Sequence, residues 1–166
     1  MTRAAELIER LALQPHPERG FFVETYRAAH QVVSAGGAPR AASTAIYFLL
    51  TAEQPASYLH RLAHDELFHL YEGGPLDVLL LAADGSARVA RLGRDVAAGV
   101  RPQLVIPAGT WFGTELGAGV SHVLFGCTVA PGFDFSDFEL AQGPELAAKY
   151  PEQSAMIARL TRPDRI

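Results

Sequence analysis

The chain has 166 residues, of which 49% are apolar, and a formal net charge of -4. This length and composition fit one globular domain with a sizeable core and exclude wholesale disorder. The mild charge, without any block of Lys or Arg, argues against nucleic acid and anionic membranes as partners.

The single cysteine, Cys127, excludes an intrachain disulfide and a Cys-rich zinc site. No apolar run is long enough to span a bilayer. The N-terminal residues 2–11 are charged throughout and lack the apolar core of a signal peptide. We therefore expect a cytoplasmic protein.

The first predicted element is a helix over residues 3–13. Its side chains Leu7, Ile8 and Leu11 fall on one face, which is typical of a helix packed on a core. Thr2 is the expected N-cap, and the prolines that follow the segment end the helix.

From residue 21 onward the pattern changes to short strands separated by turn residues. The predicted strands cover residues 21–26, 44–50, 57–62, 67–71, 76–81, 87–92, 103–106, 110–115 and 121–129. Many short strands with Gly, Pro and Asp turns between them indicate a β-sandwich or barrel rather than parallel βαβ units. Residues 36–40, Gly-Gly-Ala-Pro-Arg, are predicted to form a flexible surface loop that could cover the barrel as a lid.

The tail is predicted to be helical again. Pro144 and Pro151 each stand at the start of a short helix, and Met156, Ile157 and Leu160 share one face of the second. No linker, internal repeat or low-complexity segment interrupts the chain. We expect a single all-β domain over residues 1–166, with short helices at both ends.

Three polar side chains stand in the adjacent predicted strands 57–62 and 67–71. His60 lies on one strand face, and Glu66 opens the second strand among apolar residues, where burial favours the protonated carboxyl. In a regular strand His69 has the opposite parity from Glu66, so the two converge only if a bulge intervenes. The alternative for each is a structural side chain, hydrogen-bonded or paired in place.

A His and carboxylate set can bind a divalent transition metal such as zinc, iron, manganese or nickel. Catalytic metal sites usually keep three protein ligands, and His60, Glu66 and His69 supply three if the bulge exists. His122 is a more distant candidate.

Further side chains are candidates for a ligand pocket, because aromatic rings stack on sugars and polar groups orient them. The candidate ligand contacts are Tyr58, His69, Gln103, Trp111 and Phe112. The alternative is that the aromatic rings are plain core and that Gln103 lies at a sheet edge.

These residues stand in motifs that resemble the cupin superfamily. The first cupin motif, H-x-H-x-x-x-E, reads here His60-Arg-Leu62-Ala-His-Asp-Glu66, and the second, P-x-G-x-x-H, reads Pro107-Ala-Gly109-Thr-Trp-Phe112. Metal-binding cupins use three His and one Glu. This chain keeps His60 and Glu66 of that set, whereas Leu62 and Phe112 occupy the other two positions.

Nearly the whole chain is similar to one cupin-like branch, a family labelled a domain of unknown function. The matching segments are His16-Pro-Glu-Arg-Gly-Phe-Phe-Val-Glu-Thr-Tyr-Arg27, Ser43-Thr-Ala-Ile-Tyr-Phe-Leu-Leu50, His60-Arg-Leu62, Asp65-Glu-Leu-Phe-His69, Pro107-Ala-Gly-Thr-Trp111 and Gly126-Cys-Thr-Val-Ala-Pro-Gly-Phe-Asp-Phe135. The resemblance implies a cupin jelly roll (a double-stranded β-helix) that is often dimeric and has an interior pocket. That fold is similar to the fold of nucleotide-sugar epimerases.

The function we expect is a small-molecule enzyme of the isomerase or epimerase type, acting on a carbohydrate-like ligand in the barrel. His60 moves a proton next to a carbonyl group, Glu66 orients the imidazole or acts as the partner acid, and Tyr47 or Tyr58 supplies a second donor. Two alternatives are a metal-dependent cupin enzyme, such as a dioxygenase, and a non-catalytic ligand-binding cupin.

We also expect a homodimer. The apolar strand faces of residues 45–49 and 78–80 exceed what one barrel needs, which favours a second copy on a sheet face or edge.

Overall fold

Two antiparallel sheets face each other in the computed structural model, which describes residues 1–165. In spatial order, with strands numbered along the chain, the larger sheet contains β1 (Gln14–Pro15), β2 (Phe21–Arg27), β5 (Thr44–Thr51), β12 (His122–Ala130), β7 (Asp65–Gly73) and β10 (Gln103–Ile106). The smaller sheet contains β13 (Phe138–Leu140), β6 (Ala56–Leu62), β11 (Trp111–Leu116), β8 (Leu76–Leu81) and β9 (Ala87–Leu92).

The strand order confirms the predicted jelly roll. From β5 to β8 the chain crosses between the two sheets at every step, and from β9 to β13 it does so again. Strands distant in sequence therefore pair, as β5 does with β12 and β6 with β11. This interleaving of two antiparallel sheets is the double-sheet architecture of jelly rolls.

All nine predicted strands are present, but the structure contains others that the sequence did not indicate. They are β1, β13 and a hairpin of β3 (Gln31–Val33) and β4 (Pro39–Ala41). The Gly pair at residues 36–37 lies in the turn of this hairpin, whereas Pro39 and Arg40 belong to β4, so the predicted flexible loop of residues 36–40 is partly a paired strand. These strands have two or three residues each, too few to show an alternating pattern.

The main core lies between the two sheets and is rich in aromatic rings. Phe125 packs on Phe48 and on Phe68, with ring centroids 5.3 and 4.9 Å apart. Phe68 also meets Phe112 edge-on at 5.9 Å. Full burial of each of these rings contributes about 1.5–3 kcal/mol, so they hold the sheets together.

The terminal helices cover the outer faces of the sheets. Helix α1 (Arg3–Arg10) places Leu7 on Leu49 and Leu124 of the larger sheet. The Thr2 Oγ1 accepts a hydrogen bond from the Ala5 backbone N–H, which confirms the predicted cap. The helix ends before residue 13.

Two short helices, α2 (Gly143–Lys149) and α3 (Ser154–Leu160), cover the smaller sheet, and a 3-10 turn at Pro151–Gln153 joins them. The face predicted for the second helix is confirmed: Met156, Ile157 and Leu160 are buried in one cluster with Leu79. The remaining 3-10 turns are Val96–Ala98, Phe135–Asp137 and Pro163–Arg165. None of the helices in residues 1–165 is long and apolar enough to cross a membrane.

This packing corrects one part of the sequence argument. The apolar faces of residues 45–49 and 78–80 were expected to meet a second copy of the chain, but Leu49 is covered by α1 and Leu79 by α2 and α3. The apolar excess on these strands is therefore explained by the chain's own helices.

Candidate functional site

One end of the barrel interior holds a cavity of about 160 Å³ that combines ionisable groups with apolar walls. It is lined by His16, Glu18, Phe22, Glu24, Arg27, Thr44, Ile46, His60, Leu62, Glu66, Cys127, Val129, Phe133, Asp134, Phe135 and Phe138. Concave apolar sites with a few converging polar groups are the usual setting for small-molecule binding.

The cavity contains a buried pair formed by Glu18 and His60, whose side chains are 9% and 6% exposed. The Glu18 Oε2 atom lies 2.5 Å from His60 Nδ1. The ring N–H is not aligned with that oxygen, however, because Nδ1 donates to the Tyr58 carbonyl at 2.7 Å, and Oε2 lacks an aligned donor within residues 1–165. The contact between Glu18 and His60 is therefore mainly Coulombic.

Glu18 reaches the barrel interior through a tight turn between β1 and β2. The Arg19 N–H donates to the His16 carbonyl, and the Glu18 carbonyl accepts from the Tyr58 N–H on β6 at 3.0 Å. Gly20 has φ +75°, and a Cβ there would lie 2.8 Å from the Leu49 carbonyl oxygen. Only glycine fits this position, so the sequence of the turn fixes where Glu18 points.

Each group of the pair favours the ionised state of the other. Burial lowers the pKa of His60, but the Glu18 carboxylate, the hydrogen bond to the Tyr58 carbonyl and the charge of Glu66 together raise it above its ordinary value. Burial raises the pKa of Glu18, and the charges of His60 and His16 overcome this effect and lower it. The pKa of His16 is lowered by burial.

A second carboxyl in the same cavity has the opposite state. Glu66 is 93% buried, and its Oε2 atom has no hydrogen-bond partner among the described residues. Burial raises its pKa from 4.5 to about 7, although the charge of His60 acts to lower it. Cys127 lies beside it, and burial and the Glu66 charge raise the pKa of that thiol well above its usual value.

The cavity opens between β2 and residues 133–135. Arg27 donates from Nε and Nη2 to both carboxylate oxygens of Glu24, at 2.9 and 2.7 Å, and also to the Phe133 carbonyl. Asp134 accepts at one oxygen from the N–H and hydroxyl of Ser136. The aromatic rings at residues 133, 135 and 138 line this opening.

Of the residues singled out from sequence, the structure places His60 and Glu66 in the cavity lining. Phe112 is buried with its ring centroid 4.1 Å from that of His60. It lies behind the imidazole, among the core aromatics, rather than in the cavity wall.

The remaining candidates lie elsewhere. His69 and Gln103 are hydrogen-bonded to each other on the outer face of the larger sheet, with 3.1 Å between Nδ1 and Nε2. Tyr47 packs edge-on against Tyr71, close to α1 on the same outer face. Trp111 packs outside the smaller sheet, under the guanidinium of Arg61.

Tyr58 does not line the cavity either. Its ring lies under the Arg19 guanidinium, at 5.5 Å. The β6–β11 pairing shifts register here, from His60 opposite Phe112 to Ser57 opposite Thr114. The shift takes Tyr58 out of the alternation that would have put it beside His60.

The metal hypothesis required a bulge between Glu66 and His69, and the structure places the bulge elsewhere. From Glu66 to Leu70 the pairing of β7 with β12 is regular, and the register shifts only beyond Leu70. His69 therefore points away from His60 and Glu66, and His122 contacts Glu72. Within residues 1–165, no three His, Cys, Asp or Glu side chains are placed to hold a metal ion.

Four residues that line the cavity were not predicted as functional candidates from the sequence: His16, Glu18, Glu24 and Arg27. All four belong to the segment of residues 16–27 that carries the family resemblance. A signal was present, because charged side chains interrupt an otherwise apolar strand pattern there. Their meeting with His60 depends on a contact between residues about forty positions apart.

Comparison with known proteins gives consistent matches over almost the whole chain. Residues 5–141 match the model of a family described as "Cupin superfamily (DUF985)". A hypothetical protein from Leishmania major is 35% identical, with a TM-score of 0.89 over 96% of this chain and 99% of its own. Protein SO0799 from Shewanella oneidensis is 37% identical, with a TM-score of 0.87 over 98% and 99%.

A yeast protein is also similar in sequence over most of the chain. The uncharacterized protein YML079W of Saccharomyces cerevisiae is 29% identical over 93% of this chain and 84% of its own length.

The raised pKa of Glu66 predicts a specific effect of pH on stability. The folded chain holds this proton up to about pH 7, whereas the unfolded chain releases it near 4.5, so this group makes the fold less stable as pH rises between the two values. We expect Glu66→Gln to equal the wild type near pH 4.5 and to exceed its unfolding free energy by roughly 3 kcal/mol near pH 8.

Urea unfolding at several pH values measures this difference. Glu9→Gln, a change at an exposed carboxyl on α1, is the matched control and should follow the wild-type pH profile. Parallel profiles for Glu66→Gln and the wild type would show that Glu66 ionises as freely in the folded chain as in the unfolded one.

Proposed function

The chain belongs to the DUF985 family of the cupin superfamily, and within this fold we propose that it is an isomerase or epimerase of small carbohydrate-like molecules. The reaction is a proton transfer at the carbon next to a carbonyl group. The observation that carries this proposal is the buried Glu18–His60 pair at the cavity. Burial of these two ionisable groups costs stability, and perturbed ionisable groups in a cleft are typical of functional sites.

His60 is the proposed base. Both polar contacts of the imidazole use Nδ1, and both of these neighbours are acceptors, so the proton of the neutral ring belongs on Nδ1. This leaves Nε2 with a lone pair to take a proton from the ligand. Glu18 is a positioning residue: it fixes the tautomer and stabilises the imidazolium that forms, as the carboxylate of a catalytic triad does.

Glu66 is the proposed acid and replaces Tyr47 and Tyr58 in that role. Neither Tyr side chain is among the residues that line the cavity, whereas Glu66 has a pKa of about 7 and an oxygen without a hydrogen-bond partner in residues 1–165. Two groups in one site with separated proton affinities can act as base and acid. Proton loss to His60 gives an enediolate, and proton return to carbon from Glu66 or from His60 gives the product.

Removal of the His60 imidazole should slow proton exchange strongly. We expect His60→Gln to slow solvent deuterium incorporation next to the carbonyl of hydroxy-aldehydes and hydroxy-ketones by about 10²–10⁴-fold, the usual contribution of a general base. Proton NMR in D₂O measures the exchange, with exposed His30→Gln as the control. Ligand binding without exchange in the wild type would favour the non-catalytic cupin and contradict the proposal.

The positioning role of Glu18 predicts a shift in the pH profile. The Glu18 carboxylate raises the pKa of His60, so Glu18→Gln should lower it and move the acidic limb of the exchange rate to lower pH. The rate at the plateau should fall as well, because the imidazolium loses its counter-charge. A lower rate with an unmoved limb would mean that Glu18 is merely structural.

We also propose a homodimer, formed through the uncovered part of the larger sheet. The support is a group of exposed side chains on its outer face, beyond the area that α1 covers. Tyr26, Tyr71 and Val105 are 54%, 48% and 50% exposed. Large exposed apolar side chains on one face are typical of protein interfaces.

Charges placed on this face should separate the copies. We expect light scattering after gel filtration to give twice the chain mass for the wild type and the single-chain mass for Tyr26→Arg combined with Val105→Lys, because an interface cannot solvate unpaired cations. Val89→Lys, at a 49% exposed position on the edge strand of the other sheet, is the control. A wild type with the single-chain mass would contradict the dimer.

A further inference from the structure

We infer that the ligand of this cavity is a small, uncharged hydroxycarbonyl compound, and that the Glu24–Arg27 pair at the mouth selects against phosphorylated and nucleotide-linked forms of it. The inference deepens the proposed function and rests on it for the reacting carbonyl group. It assigns the specificity to two residues of β2.

The charges around the cavity are balanced without a ligand. Arg27 is the single Lys or Arg among the described lining residues, and both carboxylate oxygens of Glu24 already accept its hydrogen bonds. Any positive charge on His60 is matched by the Glu18 carboxylate in contact with it. Asp134 leaves the mouth with one extra negative charge. A phosphate or diphosphate group would therefore meet no free cation and would be repelled by Asp134.

The size of the cavity points the same way. Pockets that enclose a drug-sized ligand measure about 300–1,000 Å³, whereas this one measures about 160 Å³. A monosaccharide-sized molecule can enter it, but the nucleotide of a nucleotide-sugar would have to stay outside. The exposed surface at the mouth offers that group the ring of Phe135 and the acidic Asp134. The basic side chains described there, Arg27 and the neighbouring Arg40, are already paired with Glu24 and Asp137.

The interior suits hydroxyl and carbonyl groups. Its polar groups are the carboxyls of Glu18 and Glu66, the imidazoles of His16 and His60, the Cys127 thiol and the Thr44 hydroxyl, and the walls between them are aromatic or aliphatic. The Glu66 Oε2 atom is buried and has no partner within residues 1–165, so a ligand hydroxyl or carbonyl can complete its hydrogen bonding. Sugars can donate and accept hydrogen bonds at such polar groups and pack their apolar faces on such aromatic rings.

Glu24 is the residue that makes Arg27 unavailable. The two side chains are 39% and 46% exposed, so a ligand phosphate could reach Arg27 if the carboxylate were absent. Glu24→Gln keeps the shape and one acceptor oxygen but removes the negative charge. This substitution should turn the mouth from a site that rejects anions into one that accepts them.

The experiment compares neutral compounds with their phosphate esters. Unphosphorylated five- and six-carbon aldoses and ketoses, their terminal phosphate esters and a nucleoside diphosphate sugar are titrated into the full chain, and Kd is measured by protein-observed NMR. For the wild type we expect binding of at least one neutral sugar and several-fold weaker binding of its ester. For Glu24→Gln we expect the Kd of the ester to fall several-fold relative to that of the neutral sugar.

Two further variants keep the result specific. Arg27→Met added to Glu24→Gln should remove the gain for the ester, and Glu9→Gln should change neither Kd. Binding of the ester or of the nucleotide sugar as tight as the neutral sugar in the wild type would overturn the inference. So would a failure of every neutral sugar to bind, or an unchanged ester Kd in Glu24→Gln.

Binding and exchange separate this inference from the proposed function. A neutral sugar that binds but shows no deuterium exchange supports the ligand class and contradicts the isomerase proposal. An ester that binds more tightly and does exchange contradicts the ligand class and supports the isomerase proposal.

Discussion

The buried contact between Glu18 and His60 is the interaction on which the site depends. It joins the turn before β2 to β6 of the opposite sheet, so it bridges the two layers of the barrel. Removing both charges from water costs several kcal/mol per ion, and removal of one partner from such a pair typically destabilises a protein by about 3–5 kcal/mol. The backbone hydrogen bonds at Tyr58 and the tight turn at Gly20 hold the two groups together and offset part of this cost.

This pair also determines the state of the second carboxyl. Glu18 and Glu66 are both more than nine-tenths buried in one cavity, and among the described residues Glu18 contacts an imidazole whereas Glu66 does not. The charge of His60 is thus matched by Glu18, and Glu66 keeps its proton up to about pH 7 because burial in an apolar wall opposes a second charge. One residue is a counter-charge and the other a proton donor, although the two are chemically the same.

The rest of the fold protects this arrangement. The aromatic core around Phe125 closes the barrel behind the cavity, and α1, α2 and α3 cover the outer sheet faces. The cavity therefore opens at one end, between β2 and residues 133–135, where the Glu24–Arg27 pair stands. The balance of charges at that opening favours neutral ligands. The low dielectric of the interior strengthens the electrostatic interactions that would stabilise a proton transfer there.

The fold and part of the site could be predicted from the amino-acid sequence. Alternation and turn residues predicted the nine longer strands, because side chains of a strand that is buried on one face must alternate. The family motif and strand parity placed His60 and Glu66 together, and the apolar neighbours of Glu66 indicated its burial. The apolar face predicted for α3 was also correct, because an apolar helix face must be covered by other parts of the protein.

The positions of the other site residues could be seen only in the folded structure. Local pattern does not reveal where a bulge falls: the shift at β6–β11 displaced Tyr58, and the regular pairing of β7 up to Leu70 sent His69 to the outer face. Tyr47 and Trp111 likewise face the helices instead of the cavity. Glu18 and Arg27 joined the site through chain reversals that bring distant segments together. Such contacts depend on packing between sheets, which no periodicity along a single segment encodes.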